Sequence, residues 1–122
     1  MQRPVPSYAE RRVDTRTLIS APARMFHGPT LSLWADCTIR DLGAHGAKIE
    51  LPQVHVAPPR FVLLHFEAGI AYEALLKWRR GGMAGMTFEA VHVLETPTPP
   101  RLQSVRDKWL ALRGGFTARP GV

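Results

Sequence analysis

Residues 33–51 read LWADCTIRDLGAHGAKIEL, and two runs of alternating residues flank a short loop in this segment. In the first run Ala35, Cys37 and Ile39 fall on one face, and in residues 47–51 the apolar side chains again hold the odd positions. Alternation with a period of two is typical of strands that bury one face. Because the break at residues 43–46 is short and contains two glycines, the segment predicts a β-hairpin.

Strand-like runs also lie on both sides of this hairpin, separated by turn residues. We predict strands at 17–26, 60–67, 70–79 and 83–94, the last being one strand or a pair. Pro22 has no N–H to donate and therefore predicts a sheet edge or a bulge within the first of them. Several short strands joined by glycine turns predict a mainly β fold, either a sandwich or a closed barrel.

The C-terminal part has a different pattern. Residues 96–100 (TPTPP) predict a stiff linker, with Thr98 as a candidate helix cap. Four apolar residues then share an arc of roughly 80° on a helical wheel: Leu102, Val105, Trp109 and Leu112. The pattern predicts an amphipathic helix that packs this Trp109 stripe on the β domain or, alternatively, presents it to a partner. Gly114-Gly115 predicts the end of the helix.

The length of 122 residues fits one domain with its own core. We divide the chain into a flexible arm (1–10), a β domain (11–95), a linker with a helix (96–115) and a tail (116–122). Apolar residues make up 45% and charged residues 21%, which argues against a disordered chain. No run is long enough to span a bilayer and the first residues lack the apolar core of a signal peptide, so we expect a cytoplasmic protein without a membrane span.

The charge favours an anionic partner, and catalytic residues are sparse. The net charge is +6 and the pI about 10.4, which leaves a nucleotide, a nucleic acid or an acidic protein surface open. The single cysteine, Cys37, lies on the apolar face of its run and is expected in the core. The five histidines are scattered without metal-ligand spacing. We therefore expect no enzymatic activity, no metal and no cofactor.

Candidate binding residues precede the hairpin and lie at the end of its first strand. Arg12 and Arg16 are four positions apart, which places them on one side of the chain for either a helical or an extended period. A guanidinium can bind phosphate with two hydrogen bonds, pair with guanine or stack on a base. Asp41 is an acceptor for the N1–H and N2–H groups of guanine. Together they indicate a site for a guanine-containing, doubly charged ligand, although a solvated charged segment and an aspartate turn are the alternatives.

These residues resemble a known signature. Arg12-x-x-x-Arg16 followed by Asp41-x-Gly43-x-x-Gly46 is similar to the motif of PilZ domains, the bacterial receptors for cyclic di-GMP. Residues 76–88, with a Trp-Arg pair, a glycine turn and Gly-x-x-Phe, resemble the closing hairpin of that family. The resemblance covers roughly residues 10–94. It implies a six-stranded antiparallel β-barrel with a C-terminal α-helix, acting as a non-enzymatic cyclic di-GMP receptor in second-messenger signalling.

The resemblance also implies roles for individual residues. Arg12 and Arg16 would wrap the ligand and hold phosphate and guanine, while Asp41 would accept from one guanine. Gly46 would occupy a turn where a side chain obstructs, which fits the tolerance of glycine for positive φ. Gly43 replaces the serine of the family; its N–H would remain available, so the loss is one neutral hydrogen bond, on the order of 1 kcal/mol.

Two further side chains are of types that can stack on a base. Arg11 is a secondary candidate for stacking. Trp78 lies on the apolar side of its run and is interpreted as a core residue rather than a base platform.

Other functions remain open on the sequence alone. A degenerate PilZ-like domain without ligand could act as a protein interaction module through the C-terminal helix. A basic barrel that binds RNA or single-stranded DNA is a third hypothesis, but the aromatic residues fall in core-like runs, so we expect no DNA binding. For the receptor, a downstream protein partner is expected, and no residue selects motility, exopolysaccharide or envelope control.

Overall fold

The computed structural model describes residues 16–118, with side chains described as far as residue 113. Its elements are β1 (Thr17–His27), β2 (Leu33–Leu42), β3 (Gly46–Glu50), β4 (Arg60–His65), β5 (Ile70–Arg80), β6 (Met83–Val93), a 3₁₀ turn (Pro100–Leu102) and helix α1 (Gln103–Ala118). The strands pair antiparallel and close into a barrel in the order β1-β2-β3-β6-β5-β4. The predicted six-stranded barrel with a C-terminal helix is confirmed. The predicted arm (1–10) lies outside the described residues, as do Arg11, Arg12 and residues 119–122 of the predicted tail (116–122); residues 116–118 of that tail belong to α1.

The predicted hairpin is formed by β2 and β3. Ile39 pairs with Ile49 and Leu42 with Ala47, and the Gly43 N–H donates to the Gly46 carbonyl at 2.9 Å to close the connection. The ladder shifts register between Ile39 and Asp41. Up to this shift, the alternation predicted from the sequence therefore places the odd-numbered residues of both strands in the barrel interior.

The barrel interior is filled mainly by small and aliphatic side chains, together with the aromatic rings of Phe61 and Tyr72. The largest fully buried ones are Met25, Ile39, Ile49, Leu51, Leu63 and Met86. Cys37 is among the interior residues, as predicted. Burial, and to a lesser extent the charge of Asp36, raises the pKa of this thiol to about 12. Cys37 is therefore protonated at neutral pH and acts as a packing residue.

A second core lies between the outer face of the barrel and α1. The Trp109 stripe packs on residues of β1, β4, β5 and the segment after β6, namely Phe26, Val62, Leu64, Ala71 and Leu94. Trp109 is 3% exposed, and its indole N–H donates to the Phe66 carbonyl at 3.0 Å. The predicted packing of the helix is confirmed. Leu102, Val105 and Trp109 of the stripe are buried against the barrel, so the alternative in which the stripe is presented to a partner is wrong.

Three local predictions have different outcomes. Pro22 follows a register shift between Leu18 and Ala21, and β4 pairs with β1 only from Ala23 onward, so the bulge predicted from this proline is confirmed. Thr98 does not cap the helix, since Pro99 holds the cap position of the 3₁₀ turn without a side-chain hydrogen bond. The end of the helix at Gly114-Gly115 is also wrong, because α1 continues to Ala118. Glycine weakens a helix by about 1 kcal/mol but keeps the N–H that propagates it.

Charged side chains attach the 3₁₀ turn to the barrel. Glu73 of β5 accepts from His92 of β6 at 2.6 Å and from Arg101 in the turn. Although burial alone would raise the pKa of Glu73, the hydrogen bonds from His92 and Arg101 lower it below its usual value. The ionised carboxylate therefore stabilises the fold at neutral pH. This contribution begins to fall below the usual pKa of glutamate and is lost as the pH falls through the lowered pKa of Glu73.

His65 gives the barrel a second dependence on pH. The ring is buried at the end of β4, and its Nδ1 accepts from the Ala68 N–H at 3.3 Å. Burial lowers the pKa of His65 from 6.5, a shift that the charge of Glu67 only partly opposes. The unfolded chain therefore binds the proton first as the pH falls. The stability contributed by neutral His65 is complete above pH 6.5 and is lost below it.

We predict that His65→Asn flattens the fall in the free energy of unfolding below pH 6.5, because asparagine keeps an acceptor for the Ala68 N–H but does not bind the proton. One proton accounts for a slope of at most about 1.4 kcal/mol per pH unit. Urea unfolding at a series of pH values measures the effect, with His55→Asn in an exposed loop as the control. A wild-type slope in His65→Asn would contradict the prediction.

Candidate ligand-binding site

A cleft of about 340 Å³ lies on the outer face of the barrel, beside the start of β1 and across β2, β3, β6 and β5. It is lined by Arg16, Asp41, Ala47, Lys48, Lys77, Trp78, Gly85, Met86 and Thr87. The cleft lies at the same end of β3 as the hairpin connection. It therefore contains two of the predicted site residues, Arg16 and Asp41, and borders a third, Gly46.

Four lining residues form one row across four strands. Asp41 of β2 pairs with Lys48 of β3, Lys48 pairs with Gly85 of β6, and Gly85 pairs with Trp78 of β5. Neighbouring strands are about 4.8 Å apart, so the backbones of Asp41 and Trp78 are about 14 Å apart. The row presents a carboxylate at one end, an ammonium next to it and an aromatic ring at the other end.

Trp78 is on the outer face because of a bulge in β5. The β5–β6 register shifts between Leu76 and Trp78, so Lys77 is an extra residue and the alternation reverses after it. Leu76 packs against the interior, whereas Trp78 is 37% exposed. The interpretation of Trp78 as a core residue is therefore wrong, since it assumed an uninterrupted alternation.

The indole of Trp78 lies directly over Gly85. A Cβ atom at residue 85 would stand 2.1 Å from the indole Nε1, so only glycine leaves room for the ring in this position. The Arg80 guanidinium lies 5.3 Å from the centre of the ring. The ring is therefore supported from below by the backbone of β6 while part of its surface stays accessible to a ligand.

Arg16 and Asp41 meet at the other end of the row. The distance from Arg16 Nη1 to Asp41 Oδ1 is 3.4 Å, a loose ion pair in which Arg16 is the more exposed partner. Such a pair contributes little to the free energy of unfolding, typically about 0–1 kcal/mol. Both side chains can therefore be redirected towards a ligand at small cost.

Gly46 is required for space rather than for its φ angle. A Cβ atom there would stand 2.4 Å from the Met86 carbonyl oxygen and 3.3 Å from Arg16 Nη2. The expectation that a side chain would obstruct at this position is confirmed. The appeal to positive φ is wrong, because the described glycines in the left-handed region are Gly28, Gly69 and Gly81.

Gly43 lies in the hairpin connection, and its N–H is already bonded to the Gly46 carbonyl at 2.9 Å. The expectation that this N–H remains available to a ligand is therefore wrong. Its missing side chain is the relevant property, since a serine at this position would add a hydroxyl to the hairpin connection. Arg11 and Arg12 precede Arg16 and belong to the part of the chain that the structure does not describe.

Sequence reasoning missed the two lysines of the cleft. Lys48 lies on the polar side of β3 and Lys77 is the extra residue of the β5 bulge. Lys48 could have been found by writing the hairpin register, which places it opposite Asp41. Lys77 could not, because the bulge has no local sequence signal. With Arg16 they give the cleft an excess of positive charge over Asp41, which favours an anion.

No protein-family model matches the chain, and neither does any curated protein. Within residues 16–118, three or more histidine, cysteine or acidic side chains do not gather as they would around a metal ion. The described helices include none with the length and apolar character needed to cross a bilayer.

We predict that Gly85→Ala displaces the Trp78 indole and lowers the free energy of unfolding by about 1–3 kcal/mol, because the added methyl overlaps the ring. Gly82→Ala in the adjacent turn is the matched control, since the nearest heavy atom to its Cβ is at 3.6 Å, an ordinary contact. Urea unfolding and tryptophan emission measure the two effects. Equal losses in both variants would contradict the position of Trp78.

Proposed function

We propose that this chain is a non-enzymatic receptor for cyclic di-GMP that binds the dinucleotide in the cleft between Arg16 and Trp78. The row of Asp41, Lys48, Gly85 and Trp78 carries the proposal. It supports this function because a cyclic dinucleotide needs the same three kinds of contact: an acceptor for the guanine edge, cations for phosphate, and a flat surface for a base.

Each contact has a residue that suits it. Asp41 accepts from the N1–H and N2–H groups of one guanine, which adenine does not offer in the same arrangement. Arg16, Lys48 and Lys77 surround the phosphates, with arginine able to hold two oxygens at once. The exposed part of the Trp78 ring stacks on the second guanine, a contact of about 1–3 kcal/mol per base.

Arg12 is assigned to the same ligand by its spacing from Arg16. The two arginines are four positions apart, and Arg16 already lies against Gly46 and Asp41 at the edge of the cleft. Binding would then draw residues 12–16 over the ligand and change the surface that the domain presents to a downstream protein. Arg11 is the further candidate for stacking on a base.

The first test is calorimetric titration of the chain with cyclic di-GMP. Cyclic di-AMP, whose bases present a different hydrogen-bonding edge, is the comparison ligand. We predict micromolar or tighter binding of cyclic di-GMP, weakened roughly 10- to 100-fold by Arg12→Ala or Arg16→Ala, since each removes charged hydrogen bonds. Asp41→Asn should reduce the ratio of the affinity for cyclic di-GMP to that for cyclic di-AMP, because an amide cannot accept from both guanine donors as a carboxylate does.

The matched control is Arg60→Ala, which removes an equal charge from a different cleft, where Arg60 is paired with Glu89 at 2.7 Å. It is expected to bind as the wild type does. Absence of cyclic di-GMP binding, or binding that Arg16→Ala and Asp41→Asn leave intact, would refute the proposal.

Gly43→Ser provides a test of the register. The substitution adds a hydroxyl to the hairpin connection. One additional neutral hydrogen bond from it is expected to tighten cyclic di-GMP binding several-fold, on the order of 1 kcal/mol. The same titration measures it, together with urea unfolding to show that the hairpin is intact. Binding that is unchanged or weaker in a folded Gly43→Ser variant would mean that residue 43 does not face the ligand.

A further inference from the structure

The loop between β3 and β4, residues 52–59, exposes two valines at the end of β3 remote from the candidate site. Val54 is 86% exposed and Val56 is 68% exposed. Both ends of the loop are anchored, because Leu51 is fully buried and Ala57 packs against the barrel interior. Residues 53–56 therefore project from the barrel as a convex tip.

Arg79 holds the backbone of this loop in place. Its guanidinium donates to the carbonyls of Leu51, Pro52 and His55 at 3.2, 3.1 and 3.1 Å, and its Nε donates to the Gly81 carbonyl at 2.8 Å. The His55 N–H also donates to the Pro52 carbonyl at 3.0 Å. Because the loop is fixed by these bonds, it cannot fold back to cover its valines without breaking them.

The acidic side chains beside the loop, Asp36 and Glu50, are both paired with arginines, which leaves positive charge in excess. Gln53 lies against the β5–β6 turn, where its Nε2 is 3.2 Å from the Cβ position of Gly81, next to exposed Arg80. Glu50, the acidic residue at this end of β3, is paired with Arg40 at 3.5 Å. The chain as a whole has a net charge of +6. The tip therefore combines protruding apolar side chains with positive charge.

We propose that this valine loop inserts into the headgroup region of an anionic membrane. A convex, fixed tip with apolar ends fits a soft surface that opens around it, and the adjacent arginines complement the negative charge of acidic lipids. The contact is peripheral, and its valines lie at the end of β3 opposite the proposed nucleotide site. Arg80, whose guanidinium is 5.3 Å from the centre of the Trp78 ring, adjoins both surfaces.

The test is sedimentation of the full chain with vesicles of phosphatidylcholine, with and without phosphatidylglycerol. Binding is expected only with the anionic lipid and should weaken as salt is raised. Val54→Ser and Val56→Ser are each expected to lower the partition coefficient by about tenfold, the effect of withdrawing one buried valine. Arg80→Gln should lower it by about fivefold.

The matched control is Val91→Ser, which changes a valine that is 50% exposed on β6. Residue 91 is eight positions beyond Met83 along the strand, roughly 26 Å from the loop end of the barrel. This variant should bind vesicles as the wild type does. No binding to anionic vesicles, or equal binding by the Val54→Ser/Val56→Ser double variant, would overturn the proposal and leave the loop to a protein partner.

Discussion

The close approach of β3 to β6 is the constraint on which the barrel depends. β3 has five residues, yet it pairs with β2 on one side and with β6 on the other, so the ring would be open between β2 and β6 without it. At Gly46 the Met86 carbonyl occupies the space that a Cβ would need, while Ala47 and Ile49 fill the interior. A larger residue at position 46 would push the strands apart and open the ring where the candidate site is built.

The candidate site follows from the same pairing. With β3 fixed between β2 and β6, Asp41, Lys48 and Gly85 become neighbours in one row, and the bulge at Lys77 adds Trp78 to the end of it. The row combines an acceptor, a cation and an aromatic ring, which are the kinds of group that can contact a ligand. The receptor proposal depends on this composition, and the resemblance to PilZ domains supplies the ligand.

Regular alternation made most of the fold predictable. The β2–β3 hairpin, the burial of Cys37 and the packing of Trp109 all follow from a constant period of two or 3.6. The failures occur where a period changes. Uninterrupted alternation would place Trp78 in the core, but a bulge adds one residue before it. The bulge is decided by pairing with β6 and not by local sequence. Likewise, α1 continues through two glycines, which weaken a helix but keep the N–H groups that propagate it. For the site, the sequence supplied Arg16, Asp41 and Gly46, but Lys77 depends on that same bulge.

The different surroundings of the tryptophans give this chain separate optical reporters. Trp109 is buried with its N–H bonded to a carbonyl, whereas Trp78 is partly open to solvent and Trp34 is 51% exposed beneath the Arg24 guanidinium, 3.8 Å from its ring centre. An aqueous quencher therefore reaches two indoles and not the third. Accessible emission follows events on the barrel surface, and protected emission follows the docking of the helix, so local and global changes can be distinguished in one unlabelled sample.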